Sequence, residues 1–156
     1  DFLDDVQPGQ VVVIDNGGRL YCTVWGDIMT FVATRKGIAG TVIDGVCRDI
    51  PGIKENDYPI FTKSTYMVTG KDRVTVDYVN KPVAISGVQV CPNDIILADD
   101  TGAVCIPDAV AEKVADIAES IEKTEQAIIA EVKNGSTLKD ARAKLGYHHL
   151  QTHEEA

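Results

Sequence analysis

The chain has 156 residues, 44% of them apolar, and carries a formal net charge of −9. That length and composition suit one packed soluble domain. The negative charge argues against a nucleic-acid surface, which needs a basic stripe, but leaves an anionic small molecule open, because a local arginine or a metal overrides the global sign.

In chain order, Val11-Val12-Val13-Ile14 is a short apolar run between Pro8-Gly9 and Asp15-Asn16-Gly17-Gly18, which predicts a strand buried on both faces. Val24, Ile28, Val32 and Arg35 follow at helical spacing, and Gly37 closes that segment. Thr41-Val42-Ile43 reads as a second buried strand ending at Asp44-Gly45, so the first third is a βαβ unit. Ile50 to Asn56 reads as a short helix and Pro59-Ile60-Phe61-Thr62 as a third strand. From Val74 to Pro107 the texture becomes short β-rich runs, with Val74-Thr75-Val76 and Val88-Gln89-Val90 alternating and turn signals at Asn93-Asp94 and Asp99-Asp100-Thr101-Gly102. This half predicts a second, mostly antiparallel layer.

Asp108 is placed to cap a long helix whose apolar stripe is Val110, Val114, Ile117, Ile121, Ile128 and Val132. Asn134-Gly135 ends it, and Ser136 or Thr137 starts a last short helix ending near Gly146. The organisation expected is one α/β domain over residues 1–146 and a loose polar tail over 147–156. Cys22, Cys47, Cys91 and Cys105 show no CxxC spacing and sit among apolar neighbours, which reads as small buried hydrophobes in a reducing compartment. No signal peptide and no apolar run of bilayer length is visible, so a cytoplasmic protein without a membrane partner is expected. The chain opens Asp1-Phe2-Leu3 without a methionine, which suggests a fragment or a processed product.

Ligands in α/β sheets bind beyond the carboxyl ends of the strands. Two such ends stand out, Trp25-Gly26-Asp27 after the first strand and Asp44 to Asp49 after the second. Gly26 lets the backbone approach a ligand, and free N–H groups at a helix start hold a carboxylate. Arg48 offers a planar fork for a carboxylate or enolate oxygen, and Asp49 is a hard oxygen ligand suited to magnesium or manganese. The plain alternatives are a surface ion pair and an ordinary helix cap.

The blocks Trp25-Gly26-Asp27-Ile28-Met29, Gly37-Ile38-Ala39-Gly40, Val42-Ile43-Asp44-Gly45 and Arg48-Asp49, followed by the run from Val90 to Gly102, resemble the RraA-like family of 4-hydroxy-4-methyl-2-oxoglutarate aldolases and regulators of ribonuclease activity. The resemblance implies a swivelling β/β/α-type sandwich, a βαβ core with a β-rich second layer and a long C-terminal helix, assembled as a homotrimer or a hexamer. It implies a metal-dependent lyase that cleaves 2-oxo acids to pyruvate and also decarboxylates oxaloacetate. Carried over, Gly26, Asp27, Ile28 and Met29 bind the pyruvyl carboxylate, Arg48 holds the keto or enolate oxygen, and Asp49 is the one direct protein ligand of the metal, magnesium or manganese. Asp27 is the candidate proton carrier, and Glu125 the candidate for a glutamate contributed by a neighbouring subunit. Members of the family usually carry several tens of residues before the point where this chain starts, and Lys63-Ser64 stands where a less charged pair is expected.

Rival readings have their own residues. Lys63 at a strand end offers a Schiff-base mechanism if burial lowers its pKa. A regulator that binds an RNA-degrading enzyme would do without the aspartate after the arginine, and this chain keeps Asp49. Phosphotransfer on a swivelling domain needs an ordered histidine, and His148, His149 and His153 all fall in the tail. A methyl-donor site would need more than Asn16-Gly17-Gly18 after the first strand.

Overall fold

The fold is that of a computed structural model, which describes residues 2–150. It is mixed α/β and divides into two compact units, residues 1–108 and 109–156. The first is built on a parallel sheet of order β1-β2-β3, formed by Val11–Asp15, Gly40–Cys47 and Ile60–Thr65. All eight residues of β2 are buried, as a middle strand covered on both sides requires. The edge strands are less covered than their composition predicts. β1 buries only Val12, and β3 is exposed over its last half. β2 runs four residues past Ile43, and its pairing with β3 shifts register between Ile43 and Val46.

Helix α1, Asp27–Lys36, connects β1 to β2. Asp27 in its first turn and Arg35 and Lys36 in its last match the helix dipole. Gly37, at φ 70°, ends it in the left-handed conformation that favours glycine, and its N–H reaches the Ala33 and Thr34 carbonyls. The inward face is Thr30 and Ala33, with Met29 and Val32 packed beside it. Ile28, which shares helical spacing with Val24 and Val32, is 76% exposed. Helix α2, Ile50–Glu55, follows β2 directly and buries Ile53. Trp25 and Tyr58 stack at 5.8 Å within the same core as Leu3, Val12, Ile43 and Cys47.

The expected second layer is two separate hairpins, β4-β5 (Val83–Ile85, Val88–Val90) and β6-β7 (Ile95–Asp99, Gly102–Ile106). The alternating run at Val74 to Val76 forms no strand, since alternation without a neighbouring strand leaves its ladder groups unpaired, and the N–H of Val74 turns back to the Gly70 carbonyl instead. Ser86 and Gly87, at φ 51° and 85°, make the two-residue turn of β4-β5. This hairpin is tied to the carboxyl end of the parallel sheet by carboxylates. Asp15 accepts the Ala84 N–H at 3.3 Å, and Asp44 accepts both the N–H and the hydroxyl of Ser86 at 3.2 Å. Lys63 lies 2.5 Å from Asp44, which explains the charged residue on β3 and leaves its ammonium in an ion pair rather than in the apolar pocket a Schiff-base lysine needs.

Asp108, the last residue of the first unit, begins a 3-10 turn over Asp108–Val110, and helix α3 in the second unit starts only at Ala111. Asp108 therefore does not cap it; its N–H donates to Asp94, which also accepts from Cys91. Along α3, Ala111–Lys133, the apolar stripe stays largely uncovered, with Val114, Ile117 and Val132 between 37% and 51% exposed, and only Ile128 is buried. Helix α4, Leu138–Lys144, is capped by Thr137, whose hydroxyl accepts the Asp140 N–H, and Lys144 reaches back to Glu131 on α3 at 2.8 Å. The tail is ordered at its start, where Tyr147–His149 forms a 3-10 turn with Arg142 over the Tyr147 ring; His153 lies outside the described residues. No helix among the described residues is long and apolar enough to cross a membrane. Cys22 and Cys47 are buried thiols, whereas Cys91 and Cys105 are only partly covered.

The Asp44 tie carries a pH signature. Burial raises its pKa, but the Lys63 ammonium and the two Ser86 donors outweigh that and hold it below the ordinary 3.8. A depressed folded-state pKa stabilises above the unfolded value and is lost as the pH falls through the folded one. Asp44→Asn is expected to cost about 1–2 kcal/mol at neutral pH, with the exposed lysine end screened by solvent. Urea unfolding of both proteins at about pH 6 and about pH 3 should show that difference shrinking as the acid protonates Asp44.

Candidate functional site

The site forms where the loop after β1 meets the end of β2. Thr23 sits between Val46 and Thr69 in single parallel bridges, which inserts the loop beside the sheet. Its hydroxyl lies 2.8 Å from the Trp25 carbonyl and 3.1 Å from the Val46 carbonyl and accepts the Trp25 N–H. The Trp25 carbonyl in turn accepts the Arg48 N–H at 3.1 Å. These bonds bring residue 26 against residues 48 and 49 across 22 positions of sequence.

Asp49 is held at φ 59°, ψ 42°, the left-handed region that aspartate tolerates better than most residues. Its carboxylate makes no cap bond to α2 and faces the start of α1. There Oδ2 accepts the Asp27 N–H at 3.2 Å and meets Arg48 Nε at the same distance. A side chain at position 26 would intrude on this contact, since a Cβ on Gly26 would lie 2.6 Å from that oxygen. The Asp27 carboxylate turns onto the Ile28 N–H at 2.8 Å. Backbone strain outside a glycine position costs of order 1–3 kcal/mol and is characteristic of functional sites.

Gly26, Asp27, Arg48 and Asp49 are therefore brought together. Ile28 and Met29 line the same broad groove, which also holds Asp15, Arg19, Lys71, Arg73 and Tyr78. Glu125 lies on α3, in the second unit, and is partly exposed. The Arg48 and Asp49 side chains are 39% and 36% exposed, so their pairing alone contributes little to stability and both remain able to take a ligand. Next to them the Cys47 thiol is neutral, since burial pushes its pKa up and Thr62 only partly offsets this.

Among the described residues no group of three or more His, Cys, Asp and Glu gathers at one point. The donors at the site are two hard carboxylates, Asp49 and Asp27, open to solvent. That set suits magnesium or manganese, which keep several waters, and not a tetrahedral zinc site. Sequence reasoning missed Thr23, Thr30 and Trp25 as supports. The signal was a lone tryptophan directly before Gly-Asp, with threonines at Thr23 and Thr30 on either side.

A parallel sheet with helices between its strands, and polar residues gathered beyond the strands' carboxyl ends, places this unit in the α/β class. The family model described as RraA-like, Aldolase/RraA, matches residues 1–105, and the chain belongs to that family. It is 41% identical over 147 residues to the protein DlpA of Legionella pneumophila, which covers 94% of this chain and 24% of that protein. It is 36% identical over 110 residues to a Halalkalibacterium halodurans protein with the provisional name 4-hydroxy-4-methyl-2-oxoglutarate aldolase, covering 70% of this chain and 52% of the relative. The chain thus spans a quarter to a half of these relatives. Among solved structures, an uncharacterized protein from Pseudomonas syringae superposes with a TM-score of 0.89 at 42% identity, over 91% of this chain and 71% of the other.

Gly26→Ala tests the close approach. The Asp49 carboxylate is free to swing outward, so denaturation should show a loss of only about 1 kcal/mol. The Asp27 amide resonance should shift, because its carboxylate acceptor has been pushed away.

Proposed function

We propose that this site binds a 2-oxo acid and cleaves it to pyruvate, as a metal-dependent aldolase of the 4-hydroxy-4-methyl-2-oxoglutarate type that also decarboxylates oxaloacetate. The observation that carries the reading is the Asp49 carboxylate, held in a left-handed conformation between the Asp27 N–H and Arg48 at the start of α1. Support comes from family membership and from relatives with aldolase names.

In this reading the substrate carboxylate takes the N–H groups at the start of α1 in place of the Asp49 and Asp27 carboxylates that accept from Asp27 and Ile28 in the structure, helped by the helix dipole, while Ile28 and Met29 flank it. Arg48 presents its guanidinium to the 2-oxo oxygen, where negative charge develops as the C–C bond breaks. The electron pair of that bond becomes the enolate of pyruvate. Asp27 takes the proton of the C4 hydroxyl, whose oxygen becomes the carbonyl of the departing half, and returns it to C3, so the proton count closes. Oxaloacetate loses carbon dioxide to reach the same enolate. Asp49 is the residue that would hold magnesium or manganese, and the ion when bound supplies a Lewis acid for the 2-oxo group.

The same reading carries the family's swivelling β/β/α arrangement and a homotrimer or hexamer, with Glu125 offered to a neighbouring subunit's site. The uncovered stripe of Val114, Ile117 and Val132 on α3 supports association. The family's second description, as RraA, keeps a regulator of an RNA-degrading enzyme as the competing outcome.

The test is pyruvate release from 4-hydroxy-4-methyl-2-oxoglutarate and from oxaloacetate, with magnesium and with a chelator. Turnover should need the metal, and Asp49→Ala should lower it about a hundredfold or more. Chelator-resistant turnover would reject the metal role. Absence of both turnover and magnesium binding would reject the aldolase and favour the regulator, which a pull-down against a ribonuclease would then reveal.

A further inference from the structure

One buried polar chain lies directly beneath the proposed carboxylate site and has no role in the reading above. It begins at Thr41 on β2, whose hydroxyl meets the Tyr58 hydroxyl at 2.8 Å. Tyr58 stacks on Trp25 with their rings 5° from parallel. The Trp25 indole N–H donates to the Thr30 hydroxyl at 2.9 Å, and that hydroxyl donates to the Gly26 carbonyl at 2.9 Å. The Thr30 N–H reaches the same carbonyl at 3.0 Å. Thr30 and Thr41 are fully buried, and Trp25 is 2% exposed.

The consequence follows from peptide planarity. The Gly26 carbonyl and the Asp27 N–H belong to one rigid plane and point in opposite directions. Whatever fixes the carbonyl therefore aims the N–H. Gly26 has no side chain to hold that plane, and glycine backbone is otherwise the freest in the chain. Two donors from Thr30 clamp the carbonyl inward, and the N–H is left pointing at the Asp49 carboxylate at 3.2 Å. The helix bond from the Thr30 N–H is one any residue at this position could make; the hydroxyl bond is not. Its own orientation is set by the indole N–H, which occupies the acceptor side of the oxygen and turns the hydroxyl proton toward Gly26.

We propose that Thr30, oriented by Trp25, is a positioning residue that aims the Asp27 N–H into the site. It touches no substrate; it acts through the Gly26-Asp27 peptide. The inference rests on the 2-oxo acid reading for its kinetic effect but not for its structural one. Fold support also asks for the hydroxyl, since valine has the same shape but would leave the buried Trp25 N–H without its acceptor; the Asp27 amide and the split between KM and kcat are the readouts that separate the two roles.

The experiment compares wild type, Thr30→Val and Thr30→Ser. Thermal unfolding first confirms that each variant is folded. Amide hydrogen exchange at Asp27 is then measured by NMR, with the amides of β2 as internal reference. In parallel, KM and kcat for oxaloacetate are measured with magnesium. Thr30→Val is expected to speed exchange at Asp27 about tenfold relative to the β2 amides and to raise KM by a similar factor with kcat changed less, as the loss of one buried hydrogen bond at a binding group predicts. Thr30→Ser, which restores the hydroxyl, should return both to within about threefold of wild type. A merely structural role would lower the active fraction, cutting kcat and leaving KM unmoved. Unchanged Asp27 exchange in folded Thr30→Val, or a loss in kcat alone, overturns the proposal. If the wild type turns over no 2-oxo acid, the aldolase reading fails, and the exchange comparison by itself still decides whether Thr30 aims the amide.

Discussion

The site depends on one approach, the Asp49 carboxylate meeting the Asp27 N–H over a position that has no side chain. Everything around that contact serves to make it possible. β2 must run past its buried core to deliver residues 48 and 49, and its register shift against β3 is where the extra length is absorbed. The loop after β1 must return to the sheet edge, which the Thr23 bridges accomplish. Asp49 must enter a backbone region that only a few residue types visit at modest cost. The same left-handed turn that starts α2 therefore also points the carboxylate away from its own helix.

Buried residues carry this arrangement and exposed ones use it. Trp25, Thr30, Thr41 and Val46 are sealed in the core and make the bonds that hold the loop. Asp27, Arg48 and Asp49 keep their polar ends in solvent. That division follows from the cost of burying unpaired charge and lets a scaffold be rigid while its ligand groups stay available. The β4-β5 hairpin is tied in by the same logic, through the paired Asp44 and Lys63 rather than through apolar contact alone.

What the sequence made legible follows from how local each signal is. The βαβ unit, the helix stop at Gly37 and the short helix after Asp49 were readable because short-range periodicity and turn residues determine them. Gly26, Asp27, Arg48 and Asp49 were readable as neighbours from the expected parallel pairing of β1 and β2, although that pairing ends at Asp15 and Asp44 and the Thr23 bridge to Val46 is what closes the approach. The run at Val74 to Val76 was misread because alternation describes a strand's faces but not whether a partner strand is present. Asp108 was misread because a capping residue and a residue that closes a preceding turn look alike in sequence. The Thr30 clamp was invisible for a different reason: a threonine in a helix says nothing about which carbonyl its hydroxyl meets.

The exposure of the site bears on how it would work. Charges at a surface interact through a high effective dielectric, where a pair at 4 Å is worth about 1 kcal/mol in bulk water and several times more once solvent is excluded. Arg48 and Asp49, each more than a third exposed, therefore hold the geometry that the proposed chemistry would use without the dry surroundings that would make it effective. Ile28 on α1 lines the same groove and is apolar and 76% exposed. In the proposed assembly, covering Ile28 would exclude water from that side of the groove and strengthen the charge interactions in it. Association and chemistry would then be one problem. The interface that buries apolar surface would also lower the dielectric around Arg48, and a chain that folds but does not associate would keep its site geometry while losing much of the electrostatic stabilisation that geometry is built to deliver.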